Sequence, residues 1–441
     1  MNSDLKKDAS VEKLPTQATK ATAESKRITS SINELEDLLN EDDLQSLAEA
    51  PVANAPVPCT KVNAAGMTAR WISSISELEA ITPQWEELTR NSVSWNPYLD
   101  PCLLIPAFSH LNDCDARCLV LEEKSESKET DGPRRLLGLI PLVEKRVYGL
   151  PVKSVAFWNH DQCFNSTPLL HRDCPCKVLE TMFSFLSDQK YGLLKIETML
   201  SNSTVNQAVK TATTGFGKSL FVTDTFERSA FEPAENFDQY LLDNVSKNTR
   251  KKNRRHIRGL EKIGDVTFEQ SDQQSDFEAL AHQFLALEQA SWKGRNGTAL
   301  ASEESSQRYY LDSVARLAKA GKARFVSLKL DGKVIAMLSD FESDHEVNAF
   351  KTAFDEDFAS YSPGILIETH NVQLMHDDEI RFADSCTVAG NTTMNRVWGQ
   401  TIEFQNIVVG LRFGLPTLLT TLMPTMQKLH RARKQRKESD S

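Results

Sequence analysis

Apolar positions along the chain fall into two long stretches of mixed strand-like and helix-like pattern, separated by an intensely polar segment. In the first stretch, period-two and short apolar runs predict strands at 69–76, 116–121, 136–147, 152–158, 193–199 and 219–226. Apolar residues spaced three and four apart predict helices at 78–89, 101–111, 176–186 and 205–213. The second stretch opens with a strand at 266–269, then a capping box, Ser275-x-x-Glu278, launching a helix with Phe277, Leu280, Phe284 and Leu287 on its apolar face. A helix over 309–320 stops at Gly321, and strands 323–330 and 333–341 flank the hairpin dipeptide Asp331-Gly332. Strand 348–354, helix 363–375, strand 380–382, a helical turn at 394–398 and strand 402–409 complete it. Both stretches read β-α-α-β-β-β-α-β-α-β, the order expected of two copies of one α/β unit, with no obvious sequence repeat.

Between the copies, 237–262 is helical by the spacing of Tyr240, Leu241 and Val245, then carries Lys247, Arg250, Lys251, Lys252, Arg254, Arg255 and Arg258. These cations either form a solvated face or meet phosphates of a cofactor or of an RNA-borne substrate. Ahead of Trp71 there is no aromatic residue, so 1–65 is expected to be a disordered tail and linker. Within it Ser31 and Glu34 form a capping box before Ile32, Leu35, Leu38 and Leu39, which marks 31–47 as an acidic amphipathic helix and a candidate for docking a protein partner. The expected organisation is 1–65 tail, 66–232 N-terminal unit, 233–264 basic connecting helix, 265–423 C-terminal unit and 424–441 basic tail.

A length of 441 residues with 40% hydrophobic and 25% charged residues fits two or three soluble domains. No apolar run approaches the roughly 20 residues of a membrane span, and the N-terminus lacks the apolar core of a secretory signal, so a cytoplasmic location is expected. A net charge of −10 argues against general nucleic-acid binding. Of eight cysteines the close pairs are Cys114/Cys118 and Cys174/Cys176, neither with zinc-site spacing, so no metal is expected and the thiols read as reduced.

The stretch with the clearest chemistry is 348–370. A β-prone run ends Phe350-Lys351-Thr352-Ala353-Phe354 and passes through a loop into Ser362-Pro363-Gly364, where a helix begins. Such a unit aims free N–H groups and a helix dipole at whatever lies above the strand, typically a phosphate. An ordinary strand-to-helix connection reads the same way.

Leu287-Glu288-x-x-Ser291-Trp292-Lys293-Gly294, Gly297-Thr298-Ala299, Asp331-Gly332-Lys333-Val334-Ile335-Ala336, Phe350-Lys351 and Tyr361-Ser362-Pro363-Gly364 together resemble the acetyltransferase domain of CelD-like cellulose-biosynthesis proteins in the GNAT superfamily. The resemblance is specific over roughly 245–409 and weaker over 71–231, where Phe157-Trp158-Asn159-His160 and Thr167-Pro168-Leu169 anchor it. It implies an α/β fold of two tandem GNAT-like (acyl-CoA N-acyltransferase) units, mixed sheets flanked by helices, as in the Fem peptidyltransferases. It implies acetyl-CoA or another acyl-CoA as co-substrate, and Thr352, Phe354, Phe358, Ser360, Ser362 and Gly364 as donor contacts. The usual Gln/Arg-x-x-Gly-x-Gly/Ala loop is absent, and Asp355, Glu356 and Asp357 put negative charge beside the proposed anion site. At the equivalent place the first unit has 163–175, with His171, Arg172 and Asp173 but no glycine, and is expected to be the structural partner.

Direct acyl transfer needs a neutral amine, a polarised thioester carbonyl and a protonated leaving thiolate. Asp384 is the expected base or holder of a substrate ammonium, and Tyr361 the expected acid; a cap and a packing residue are the blander readings. Trp292, Lys293, Lys351, Trp398 and His160 are expected to shape the acceptor pocket. Alternation of Lys351 with Phe350 and Thr352 places it on one face of the sheet, where it needs a carboxylate such as Asp384 or a phosphate. The expected function is an acyl-CoA-dependent N-acyltransferase, in the acetyl form, serving an amine-bearing small molecule or sugar, with polysaccharide biosynthesis as the setting. The alternatives are a Fem-like aminoacyl-tRNA-dependent transferase, with 247–258 as the RNA contact, and a non-catalytic scaffold in polysaccharide synthesis.

Overall fold

The computed structural model describes residues 66–123, 134–147, 152–215, 218–388, 390–391, 393–412, 414 and 420. The 1–65 tail, its 31–47 helix and the basic tail beyond 424 lie outside the described residues. The N-terminal half comprises β1 (Met67–Ile72), α1 (Ile75–Ala80), α2 (Thr82–Arg90), α3 (Pro101–His110), β2 (Arg117–Glu123), β3 (Leu136–Glu144), β4 (Ser154–Phe157), β5 (Leu169–Leu170), α4 (Pro175–Asp188), β6 (Leu193–Leu200), α5 (Thr204–Gly215) and β7 (Leu220–Phe231). The single helix expected at 78–89 is two, because Ile81 ends α1 and a proline in the first turn starts α2 afresh. The connecting segment is also two helices, α6 (Phe237–Asn244) and α7 (Lys247–Leu260). Val245 is extended between them and Ser246 caps α7, accepting from the Thr249 N–H.

The C-terminal half comprises β8 (Val266–Gln270), α8 (Phe277–Ala290), α9 (Trp292–Arg295), α10 (Glu304–Lys319), β9 (Ala323–Leu330), β10 (Lys333–Ser343), β11 (Glu346–Phe354), α11 (Pro363–Asp377), β12 (Phe382–Asp384) and β13 (Gln400–Gly410). The cap of α8 is Asp276, whose carboxylate accepts from the Ala279 N–H, while the expected cap Ser275 is engaged with Asp272. Asp331 and Gly332 both take positive φ, the two-residue turn their sequence announced. β12 begins two residues later than the period-two pattern placed it.

All thirteen strands of the described residues join one mixed sheet flanked by helices, in the order β1-β2-β3-β4-β6-β13-β7-β12-β11-β10-β9-β8, with β5 pairing β3 off this path. Read from either end the order is the same: β1 answers β8, β4 answers β11, β6 answers β12 and β7 answers β13. Each half therefore lends its last strand to the other. β13 lies between β6 and β7, antiparallel to both, and β7 in turn pairs with β12. The side chains follow: Ile407 and Val409 of β13 are buried with Val178 and Ile196 of the N-terminal half, and Phe231 of β7 with Val347 and Met375 of the C-terminal half. A third cluster joins Leu103 and Trp158 to Phe284, Tyr310 and Phe350 across the two halves. Among the described residues no helix is long and apolar enough to cross a membrane.

Candidate functional site

β11 and β12 run parallel for three residue pairs, Glu346↔Phe382, Val347↔Ala383 and Asn348↔Asp384, and then part. Beyond Asn348, β10 is the only strand partner of β11 among the described residues. At that level Ser339 of β10 faces Lys351 while Phe341 faces Asn348, two steps on one strand against three on the other, so β11 carries one extra residue. The bulge overturns the expected alternation. Phe350 stacks on Phe341 at 4.7 Å, and Lys351 turns to the same side, with its ammonium 5.5 Å from the Phe350 ring centroid.

On that side stands Glu288 of α8, fully buried. One carboxylate oxygen receives Lys293 Nζ at 3.1 Å and lies 3.9 Å from Lys351 Nζ; the other accepts the Leu300 N–H at 2.8 Å. Lys293 also donates to the Thr352 carbonyl at 2.8 Å, tying α9 to the free stretch of β11. Two ammonium groups share one carboxylate, so the cluster carries one surplus positive charge, held by the more distant Lys351. Burial lowers the pKa of Lys351, and Lys293 adds to the shift while Glu288 opposes it. The partner expected for Lys351, Asp384, is replaced by Glu288. Glu288 had a readable signal, since it falls four residues after Phe284 on the apolar face of its helix.

On the opposite face Thr352 Oγ1 donates to Glu368 of α11 at 2.8 Å. Burial pushes the Glu368 carboxyl up to about 8, and its second oxygen is buried without a hydrogen-bond partner among the described residues. A carboxyl raised in the folded state adds stability below its unfolded value, and that contribution is lost as pH rises through about 8. Glu368→Gln is accordingly expected to narrow the drop in Tm between pH 5 and pH 9, by an amount equivalent to about 2 kcal/mol, in paired thermal melts.

The acidic loop has structural employment. Asp355 accepts the Asp357 N–H and pairs with Lys333 at 2.7 Å; Glu356 accepts the Trp292 N–H at 2.9 Å and pairs with Arg295 at 2.7 Å. Two of the three acids are thus neutralised locally, and the third, Asp357, is exposed.

Asp384 sits elsewhere in the chemistry from where its position after a short strand placed it. It is 4% exposed, accepts Arg228 Nε at 2.7 Å on one oxygen and the Arg228 terminal nitrogen on the other, and takes the Cys386 N–H at 2.9 Å. Arg228 lies on β7, its guanidinium 4.0 Å from the Phe404 ring centroid. Both oxygens being occupied, the geometry serves the joint between exchanged strands rather than proton abstraction. Nothing in the local pattern around Arg228 announces this pair.

Tyr361 faces α7: a Cβ built on Gly259 would lie 2.7 Å from its ring, and its carbonyl accepts from His256 Nδ1 at 2.5 Å. The expected acid thus lines the wall beside the start of α11, and no hydrogen bond, ion pair or ring contact among the described residues links it to Asp384. Trp398 is 1% exposed and packs near Phe231 in the C-terminal core, so it is a core residue here. Trp292 is exposed at the rim of the Lys293 cluster. His160 stands in the N-terminal half, edge-on to Tyr309 at 5.6 Å, with its pKa lowered by burial to about 4.

The positions expected to meet a donor share the α11 side. Phe354 lies 3.6 Å from where a Gly364 Cβ would be, so Gly364 leaves room for one carbon and little beyond it. The Lys333 ammonium sits 5.4 Å from the Phe358 ring centroid, Ser360 is exposed, and Ser362 takes a left-handed φ of 51° as the N-cap of α11. The helix start itself is poor in donors: Pro363 has no N–H, and those of Ile365 and Leu366 bond back to the Ser362 carbonyl. Positive charge comes instead from α7. A groove of about 1060 Å³ runs between α7 and the start of α11, with Lys251, Lys252, Arg254, Arg255, Arg258 and Lys262 facing Ser360 and Tyr361. These residue types fit phosphate groups. A second groove of about 800 Å³, on another side of α7, sets Lys247 and Arg250 over Phe237, Leu241 and Val245.

Residues 247–393 match the acetyltransferase (GNAT) domain family. No curated protein matches the chain. Among solved structures, FemX aligns with a TM-score of 0.49 at 12% identity, over 74% of this chain and 95% of its own. L-PGS from Bacillus licheniformis aligns with a TM-score of 0.41 at 13% identity, over 66% of this chain and 86% of its own. A tandem GNAT protein from the clavulanic acid biosynthesis pathway gives a TM-score of 0.38 at 11% identity, over 79% of this chain and all of its own.

Proposed function

We propose, from the GNAT acetyltransferase domain over 247–393, that the protein is an acyl-CoA-dependent N-acyltransferase working by direct transfer, with acetyl-CoA as donor. The observation that carries this reading is the cationic groove of α7, which meets Ser360 and Tyr361 in the loop that leads from the parted end of β11 to α11. In this reading the donor's pyrophosphate lies in the groove, Ser362 and Gly364 border it, and the pantetheine arm follows 352–358 along the free edge of β11. The thioester then reaches the Lys351–Lys293–Glu288 cluster.

Two chemical demands are met there. An amine entering beside two ammonium groups has its own pKa lowered by like charge, which supplies the neutral nucleophile without a dedicated base. As the amine attacks, the Lys351 ammonium stabilises the charge growing on the thioester oxygen; the C–S bond then breaks, and the proton released by the acylated nitrogen goes to the departing sulfur, so that CoA leaves as the thiol. Asp384 acts at a distance, as a positioning residue that holds Cys386 and Arg228. Trp292 borders the acceptor entrance, Tyr361 is part of the phosphate wall, and His160 and Trp398 support the surrounding packing. The acceptor is an amine-bearing small molecule or sugar; the CelD-like subtype, a polysaccharide-synthesis setting and a cytoplasmic location belong to the same proposal.

Acetyl-CoA titrated into the full chain by calorimetry is expected to bind, and Gly364→Trp or the pair Arg254→Glu and Arg258→Glu to weaken binding at least about 10-fold. Absence of binding, or binding indifferent to both changes, overturns the donor assignment.

A second reading has its own support. α7 and its end present eight cations, Lys247, Arg250, Lys251, Lys252, Arg254, Arg255, Arg258 and Lys262, over two grooves, more than the phosphates of one CoA require. That surplus favours a longer polyanion, the acceptor arm of a charged tRNA. Tight tRNA binding with a steep salt slope, lost when 250–258 is neutralised, together with no acetyl-CoA binding, selects it.

A further inference from the structure

The strand divergence that makes the C-terminal site occurs a second time. β4 and β6 run parallel from Ser154↔Leu193 to Ala156↔Lys195 and then part, in the place that β11 and β12 occupy in the other half. A cavity of about 480 Å³ opens there, closed by the start of α10 from the C-terminal half. That size suits a small molecule. Its charge is opposite to that of the C-terminal mouth. Asp113, Glu144, Asp161, Glu197 and Glu303 line it against one lysine, Lys145, and the histidines His110 and His160. Burial keeps His160 uncharged at neutral pH, and His110 faces Asp312 at 3.4 Å.

Glu144 and Glu197 are already engaged, by Arg117, Lys153 and the Tyr191 hydroxyl and by Lys195 respectively. Asp113, Asp161 and Glu303 have no ion pair among the described residues. Two uncharged groups also await a partner. Ser306, 8% exposed, lines the cavity and its hydroxyl makes no hydrogen bond among the described residues; Gln162, also in the lining, has its side-chain oxygen buried without one. Trp158, buried at the wall, packs against Phe108 at 4.8 Å and His160 at 5.0 Å and backs the cavity.

We propose that this cavity binds a small organic cation carrying two or more ammonium groups. Its carboxylates take the charge and the Ser306 hydroxyl accepts an N–H bond. Phosphate-bearing ligands are repelled from the same walls, so the two mouths of the molecule discriminate by charge. The site stands independently of the acyl-transfer reading, because it is built from residues outside the C-terminal mouth and needs no donor.

The test is calorimetry of spermidine against the full chain, without acyl-CoA, at low and at moderate salt. Saturable one-to-one binding that weakens as salt rises is expected. The pair Asp161→Asn and Glu303→Gln should weaken it at least about 10-fold. Ser306→Leu, which fills the cavity without changing charge, should do the same, while Asp238→Asn on remote α6 should leave it unchanged. Thermal melts confirm that each variant is folded. No saturable binding overturns the proposal; so does loss confined to the charge variants with Ser306→Leu intact, which assigns the effect to diffuse surface charge.

Discussion

Lys351→Met is expected to lower the kcat for acyl transfer by about 100-fold, while the Kd for acetyl-CoA stays within about two-fold. The substitution keeps an unbranched apolar stem, one atom shorter, and removes the one ammonium that Glu288 holds at arm's length, 3.9 Å against 3.1 Å for Lys293. A group that acts on charge appearing during the reaction affects kcat and leaves donor binding alone. Release of CoA thiol with a panel of amine acceptors, beside calorimetry on the same samples, separates the two quantities. Equal weakening of both would make Lys351 a binding residue; an unchanged kcat would remove it from the chemistry.

The second large effect is on stability. Arg228→Met leaves the Asp384 carboxylate buried with the Cys386 N–H as its remaining bond, and is expected to cost about 3–5 kcal/mol. It also removes the guanidinium from the Phe404 ring. The effect is read as a shift in the denaturant midpoint at unchanged m-value. The double change Arg228→Met with Asp384→Leu removes both charges and is expected to recover at least half of the loss, as replacement of a buried ion pair by apolar groups commonly does. A single variant as stable as the parent would contradict the view that this pair fastens β7 to β12.

Element type was largely legible because apolar spacing reports burial directly: the Phe277, Leu280, Phe284 stripe of α8 and the Asp331-Gly332 turn are local facts. The exchange of β7 and β13 was not, since period-two alternation says which face of a strand is buried and nothing about which strand lies beside it. The same gap explains Asp384. From its own neighbourhood it read as a free carboxylate after a short strand, whereas Arg228, 156 positions earlier, reaches it only because β7 has crossed into the other half. Lys293 and Lys351, read separately from the sequence, lie against one carboxylate that neither local pattern pointed to: Glu288 supplies it, and the bulge in β11, invisible to a strict alternation, turns Lys351 toward it. The acidic loop illustrates the converse, because Asp355 and Glu356 looked hostile to an anion until Lys333 and Arg295 were found beside them.

The measurement that bears most directly on the central claim is amide hydrogen exchange of the full chain with and without acetyl-CoA. The donor path described above predicts new protection concentrated in 351–364, with a smaller effect in α7 and none in 157–171. Protection appearing instead around 157–171, or no change anywhere at saturating acetyl-CoA, would contradict it.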